Sequence, residues 1–186
     1  LCSFFVDLPG DHIRGRGDAL KLEKIEQKGA VTLVWFVFDG VTDSLDLMLS
    51  SDRHHNSFLC NRELEKEHLE EIKARGGWIV DVGDLFDVMQ GRTDPRRSYD
   101  EIRPEYRGDD YFGLILRDLA EFYRPYAGNF LVLAKGNHET SVLRNSNLDL
   151  ISMLAMSLNQ CGGNTAVCGY GGWVILYFIS RNGGNR

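Results

Sequence analysis

The stretch Trp78-Ile79-Val80-Asp81-Val82-Gly83-Asp84-Leu85-Phe86-Asp87 decides how the chain is read. Trp78 to Val80 is a short apolar run that reads as a buried strand, and it leads into Asp81 and then a glycine followed by a carboxylate. Before it, residues 61 to 75 carry Leu64, His68, Leu69 and Ile72 on one face at helical spacing, and Gly76-Gly77 stops the helix. After it, residues 111 to 126 place Phe112, Ile115, Leu116, Leu119 and Phe122 at helical spacing. Residues 129 to 134 then give another apolar run ending at Gly136. A buried strand with helices on either side, and a carboxylate at its exit, describes an α/β domain with ligand chemistry at the carboxyl ends of its strands.

The pattern extends both ways. Val31 to Phe38 is β-branched and aromatic, and reads as a strand closed by Asp39-Gly40. Residues 44 to 49 alternate at Leu45, Leu47 and Leu49 and run into Ser51-Asp52-Arg53-His54. Residues 148 to 158 read as a helix and Trp173 to Ile179 as a last strand. The first 29 residues have weak periodicity and read as an N-terminal extension, with a short polar helix over Asp18 to Lys28; the domain proper is taken as residues 30 to 186. The strands are expected to share a direction through right-handed crossovers.

Composition bounds the function classes. The chain has 186 residues, 43% hydrophobic and 26% charged, which suits one globular domain. A net charge of −6 gives nucleic-acid binding no support, although a local basic patch stays open. No apolar run reaches the length of a membrane span, so no membrane is expected. Cys2, Cys60, Cys161 and Cys168 form no CxxC pair, and reduced thiols in a cytoplasmic setting are expected.

Three segments carry the chemistry. In Asp52-Arg53-His54, strand alternation would put Asp52 and His54 on one side and His55 on the other. In Gly83-Asp84, glycine permits a sharp turn, and Asp84 has two oxygens with which to bridge cations; its competing role is to cap a helix starting near Leu85. Asp87 lies one turn on, as a supporting group, and Asp81 is read as solvent-facing. In Gly136-Asn137-His138-Glu139, the Asn carbonyl suits a hard cation, His138 suits proton donation to a leaving oxygen, and Glu139 is placed to orient that imidazole. Each segment alone also reads as a turn or helix start; the three together favour a hydrolytic site. Between them, residues 91 to 107 form a long polar connection in which Arg96 and Arg97 are candidate phosphate-binding residues, against a solvated loop as the plainer reading. His68, on an apolar helix face, reads as a packed histidine.

The order and spacing of these segments resemble the calcineurin-like metallophosphoesterase superfamily, with its D-x-H, GDxxD and GNH[D/E] motifs, and within it phosphoesterases encoded by bacteriophages. The resemblance covers roughly residues 44 to 179. It implies a four-layer α/β/β/α sandwich and two divalent ions of Mn, Mg, Fe or Zn. Asp52 and His54 would hold the first ion, Asp84 would bridge both, Asn137 would hold the second, and His138 would act as catalytic proton donor or transition-state stabiliser. It also implies a phosphoester substrate and water attack on phosphorus. The family pattern continues with a lone His and a GHxH motif, whereas no histidine follows His138, so the chain is read as truncated at its C-terminus. The alternatives are a binding module without a competent site and a DNA-processing nuclease. Oligomeric state is not legible.

Overall fold

Residues 2–7, 20–38, 44–88 and 102–180 are described by the computed structural model. They form eight strands: β1 (Cys2–Asp7), β2 (Lys21–Lys28), β3 (Val31–Phe38), β4 (Asp46–Ser51), β5 (Trp78–Asp81), β6 (Phe130–Leu133), β7 (Ala166–Val167) and β8 (Trp173–Ser180). The α-helices are α1 (Arg62–Ala74), α2 (Tyr111–Tyr123), α3 (Asn137–Ser146) and α4 (Leu150–Gln160). One sheet has the order β1-β4-β5-β6-β7 and the other β2-β3-β8. From β4 to β7 each neighbouring pair is parallel, with β1 antiparallel on the edge. Helices bridge successive parallel strands, so the exits of β4, β5 and β6 lie side by side at one end of the sheet.

Strand alternation divides the core into two layers, and on β6 a register shift against β5 inserts Leu131 as an extra residue, so that it and Val132 both meet the inter-sheet side. Met48, Ile79, Phe130 and Leu133 face the helices, against Leu69, Ile72, Ile115, Leu119, Tyr123 and Leu154. Val80, Leu131 and Val132 face the other way, against Val34 and Phe36 of β3, with Leu22, Ile25, Val174 and Leu176 packed around them. The first sheet is thus sandwiched between helices and the second sheet. The outer face of the second sheet carries Trp173, Ile175, Tyr177 and Ile179, which are exposed among the described residues.

Three expectations fail. Residues 21 to 28 form β2, not a helix, and pair antiparallel with β3. Leu22 and Ile25 sit three apart, a helical spacing, yet both face the inter-sheet core because the register shifts between Leu22 and Lys24. Tertiary pairing overrides the helix propensity of a Lys- and Glu-rich segment. The shared strand direction likewise holds only for β4 to β7 and for β3 with β8. The helix expected to reach residue 126 ends as an α-helix at Tyr123 and tightens to a 3-10 turn over Arg124–Asn129, where Pro125 removes a backbone donor. α1 forms where its spacing predicts, with Asn61 capping it by accepting from the Leu64 N–H and Gly76 closing it at φ +67°, but its buried face carries Glu65 with Leu69 and Ile72, and Leu64 is exposed.

Cys60, Cys161 and Cys168 are free, and the buried Cys168 thiol lies 3.1 Å from the Thr32 hydroxyl across the two sheets. Among the described residues no helix is long and apolar enough to cross a membrane. Arg96, Arg97 and the Asp39-Gly40 turn lie outside the described residues. Of the arginines near them, Arg103 is turned inward and donates to the carbonyls of Ser57 and Cys60.

Leu131 is fully buried between the sheets. Leu131→Ala is expected to lower unfolding free energy by about 2–5 kcal/mol. Urea unfolding monitored by circular dichroism checks this, and a loss below about 1 kcal/mol would contradict the inter-sheet core.

Candidate metal centre

The site begins where the parallel ladder runs past the ends of the strands. The Val82 N–H donates to the Ser50 carbonyl at 2.8 Å. Beyond it, Asp52 N–H donates to Gly83 O at 3.0 Å, His54 N–H to Asp84 O at 3.0 Å, and His55 N–H to Leu85 O at 2.9 Å. On the other side, Ala134 N–H donates to Asp81 O at 2.9 Å. The loops leaving β4 and β5 are therefore stitched together by backbone bonds, residue by residue.

This stitching holds an unusual backbone. Asp52, His54 and Asp84 have φ of +52°, +45° and +54°; among the described non-glycine residues only Asn147, at the end of α3, shares that region. Left-handed conformations at non-glycine residues cost energy and concentrate where the surroundings enforce them, commonly at functional sites. The strand does not continue through Asp52 and His54, as alternation had assumed. The two side chains meet instead because two left-handed residues flank Arg53.

Asp52, His54 and Asp84 each present a ligand atom, all within 4.8 Å of one another, and so do His54, Asp87 and His138. The Ser51 hydroxyl donates to Asp52 Oδ2 at 2.5 Å. Asp84 Oδ1 accepts from the His138 N–H at 3.0 Å, near the start of α3. It therefore caps α3 from across the sheet; no helix follows it at Leu85. Asn137 opens α3 with an exposed side chain. It lines an open cavity of about 320 Å³ with Thr140, Ser141, Arg144, Asn145 and Tyr170.

The imidazoles of His54 and His138 meet edge to face, 4.5 Å between ring centres. His138 Nδ1 lies 3.3 Å from Asp87 Oδ1, and His54 Nδ1 lies 4.0 Å from the same oxygen. The first approach is close but its alignment falls short of a hydrogen bond, and both Nδ1 atoms are buried without a hydrogen-bond partner. Burial, helped by the neighbouring His138, pushes His54 below the usual histidine range, towards the neutral form that ligates metals. For Asp87, burial raises the carboxyl, but His138 and His54 more than offset it, so it stays ionised. Unpartnered buried ring nitrogens beside carboxylate oxygens are a mixed N/O donor set that fits a divalent cation.

Glu139 does not reach the His138 ring. It is 2% exposed and accepts from Phe86 N–H at 2.8 Å, Gly136 N–H at 2.8 Å and Asp84 N–H at 3.2 Å. It clamps the β5 and β6 exits together, and Asp87 takes the place beside the imidazole. Burial and the nearby Asp84 raise Glu139 above the usual carboxylate range, against the pull of those N–H donors. The clamp needs both glycines. Gly83 has φ +117°, and a Cβ there would sit 2.5 Å from Gly136 N; a Cβ on Gly136 would overlap the Asp84 backbone and carboxylate.

Sequence reasoning missed the layer beneath. Asp81 is fully buried, not solvent-facing. It accepts from the Ser50 hydroxyl at 2.7 Å and from Arg53 Nε at 3.0 Å. Arg53 Nη1 donates to Glu65 Oε1 at 3.1 Å, and Glu65 also meets His55 Nδ1 at 2.7 Å and the Tyr123 hydroxyl. The available signal was alternation: Asp81 lies two residues after Ile79, on the helix-facing side.

No family model, no curated protein and no solved structure matches this chain.

Glu139→Ala would leave several buried N–H donors without an acceptor. At roughly 1–3 kcal/mol for each of the three orphaned donors, a destabilisation of at least about 3 kcal/mol is expected. Chemical denaturation checks it, and wild-type stability in the variant would contradict the clamp.

Proposed function

We propose that the protein is a metal-dependent phosphoester hydrolase of the calcineurin-like kind. The observation that carries this reading is the convergence of Asp52, His54 and Asp84 within 4.8 Å at the exits of adjacent parallel strands, with all three held in left-handed backbone. The packing of the five-stranded sheet between helices and a second sheet supports a metallophosphoesterase-type sandwich. In the four-layer form, a further helical layer would cover the exposed outer face of β8.

Asp52 and His54 would hold one cation, Asp84 would be shared, and Asn137 would reach a second. Divalent cations bound there supply positive charge to the phosphoryl oxygens and acidify water for attack on phosphorus. The chain's own residues set the geometry and move the proton. Glu139 and the two glycines hold Asp84 between the β4 and β6 loops. The His138 N–H fixes Asp84 Oδ1 at the start of α3, which places the His138 imidazole at the edge of the pocket. Asp87, 3.3 Å from His138 Nδ1, would orient that ring to give a proton to the leaving oxygen. The polar cavity beside Asn137 leaves room for the organic part of the ester.

The trio His54, Asp87 and His138 also has the spacing of a metal site. We assign it to proton transfer, because Asp87 lies on the ring of a residue whose backbone already holds Asp84. Hydrolysis of a chromogenic phosphodiester with added Mn²⁺ tests the function, with Asp84→Asn expected to abolish turnover. His138→Ala is expected to lower kcat by about 10²–10⁴-fold while bound Mn²⁺ stays at the wild-type ratio. Loss of one equivalent of metal in that variant would make His138 a ligand instead. Absence of both metal and turnover in the folded wild-type chain would leave a binding module.

A further inference from the structure

Arg53 stands out once the site is in place. Its neighbours on both sides are candidate ligands, yet its own side chain is completely buried beneath them. Asp52 and His54 both have positive φ, so the peptides flanking Arg53 fix where each ligand points. Neither can relax towards an extended conformation without displacing the Arg53 Cα. The guanidinium opposes that displacement because it is held by carboxylates on two different elements, Asp81 of β5 and Glu65 of α1.

Asp81 extends this hold to the third ligand. Its Oδ2 takes Arg53 Nε and the Ser50 hydroxyl, while its Oδ1 accepts from the Gly83 N–H at 3.2 Å. Gly83 immediately precedes Asp84. A single buried carboxylate therefore connects the residue between Asp52 and His54 to the residue before Asp84. Glu65 is anchored in turn by His55, which follows His54, and by Tyr123 of α2.

A buried ion pair with this connectivity is poorly explained by stability alone. Removing two charges from water costs several kcal/mol, and apolar residues of similar volume often serve stability as well or better. Arg53 Nη2 is buried without a hydrogen-bond partner, a further cost that packing does not need. Planar, forked donors that reach two carboxylates at once are what arginine supplies and lysine does not.

We propose that Arg53 is a positioning residue for cation binding. Through Asp81 and Glu65 it holds Asp52, His54 and Asp84 at the mutual distances a divalent cation requires. The inference rests on the metal-site reading above and deepens it.

The test is titration of the metal-free full chain with Co²⁺, read by its visible absorption and by the change in thermal midpoint on binding. Arg53→Lys keeps the buried charge but cannot span both carboxylates. Asp81→Asn breaks the same bridge from its other end, outside the ligand loop. Both variants are expected to lose about 10–100-fold in Co²⁺ affinity, the range for groups that orient metal ligands, with an altered absorption band. A purely structural role would lower the metal-free midpoint yet leave affinity and spectrum of the folded protein within about twofold of wild type; that result overturns the proposal. Failure of both variants to fold would also overturn it, since the bridge would then serve the fold. If the unmodified chain binds no Co²⁺, the metal-site reading itself fails, an outcome distinct from retained affinity in the variants.

Discussion

The backbone hydrogen bonds that join residues 52–55 to residues 83–85 determine most of what this structure can do. They continue the β4–β5 ladder past the point where regular strand geometry stops. Each bond uses an N–H that would otherwise be stranded at the sheet end, so the loops cannot separate without leaving buried donors unmet. Under that constraint three non-glycine residues adopt left-handed backbone. Conformations of this kind cost of order 1–3 kcal/mol each and persist only when the surroundings over-determine them.

The third loop is held by different means. Gly83 and Gly136 approach so closely that neither position tolerates a Cβ, and Glu139 reaches across to bind N–H groups on both loops. Glu139, which accepts from the Gly136 N–H at the start of α3, is therefore also the clamp of the site. Helix start, strand exit and ligand placement are one arrangement here. The Asp84 carboxylate sits at a helix N-terminus, where partial positive charge favours an anion. A cation beside it would compete with the His138 N–H for the same carboxylate group.

The sequence showed much of this, and its failures have physical causes. The strands β3, β5 and β6 were legible as apolar runs, and α1 through Leu69 and Ile72, although its buried face takes Glu65 in place of the exposed Leu64. β2 was illegible because its Lys- and Glu-rich composition reads as a polar helix, whereas pairing with β3, which the local sequence does not show, makes it a strand. The three motif segments were legible as motifs. Their convergence was expected from strand alternation at Asp52 and His54, whereas the structure achieves it through left-handed turns. Asp81 reads as exposed because a carboxylate at a strand end usually meets water; alternation from Ile79 turns it to the helix side, but Arg53, the cation that makes its burial tolerable, lies 28 residues away in the chain. The role of Glu139 was illegible for the same reason, since its partners lie some fifty residues away in sequence.

The central claim is that Asp52, His54 and Asp84 form a cation pocket, and diffraction tests it most directly. Crystals of the chain grown with Mn²⁺, measured at the manganese absorption edge, should show an anomalous peak in contact with all three side chains. A map with no peak there, or refined side chains that point away from one another, would contradict the account.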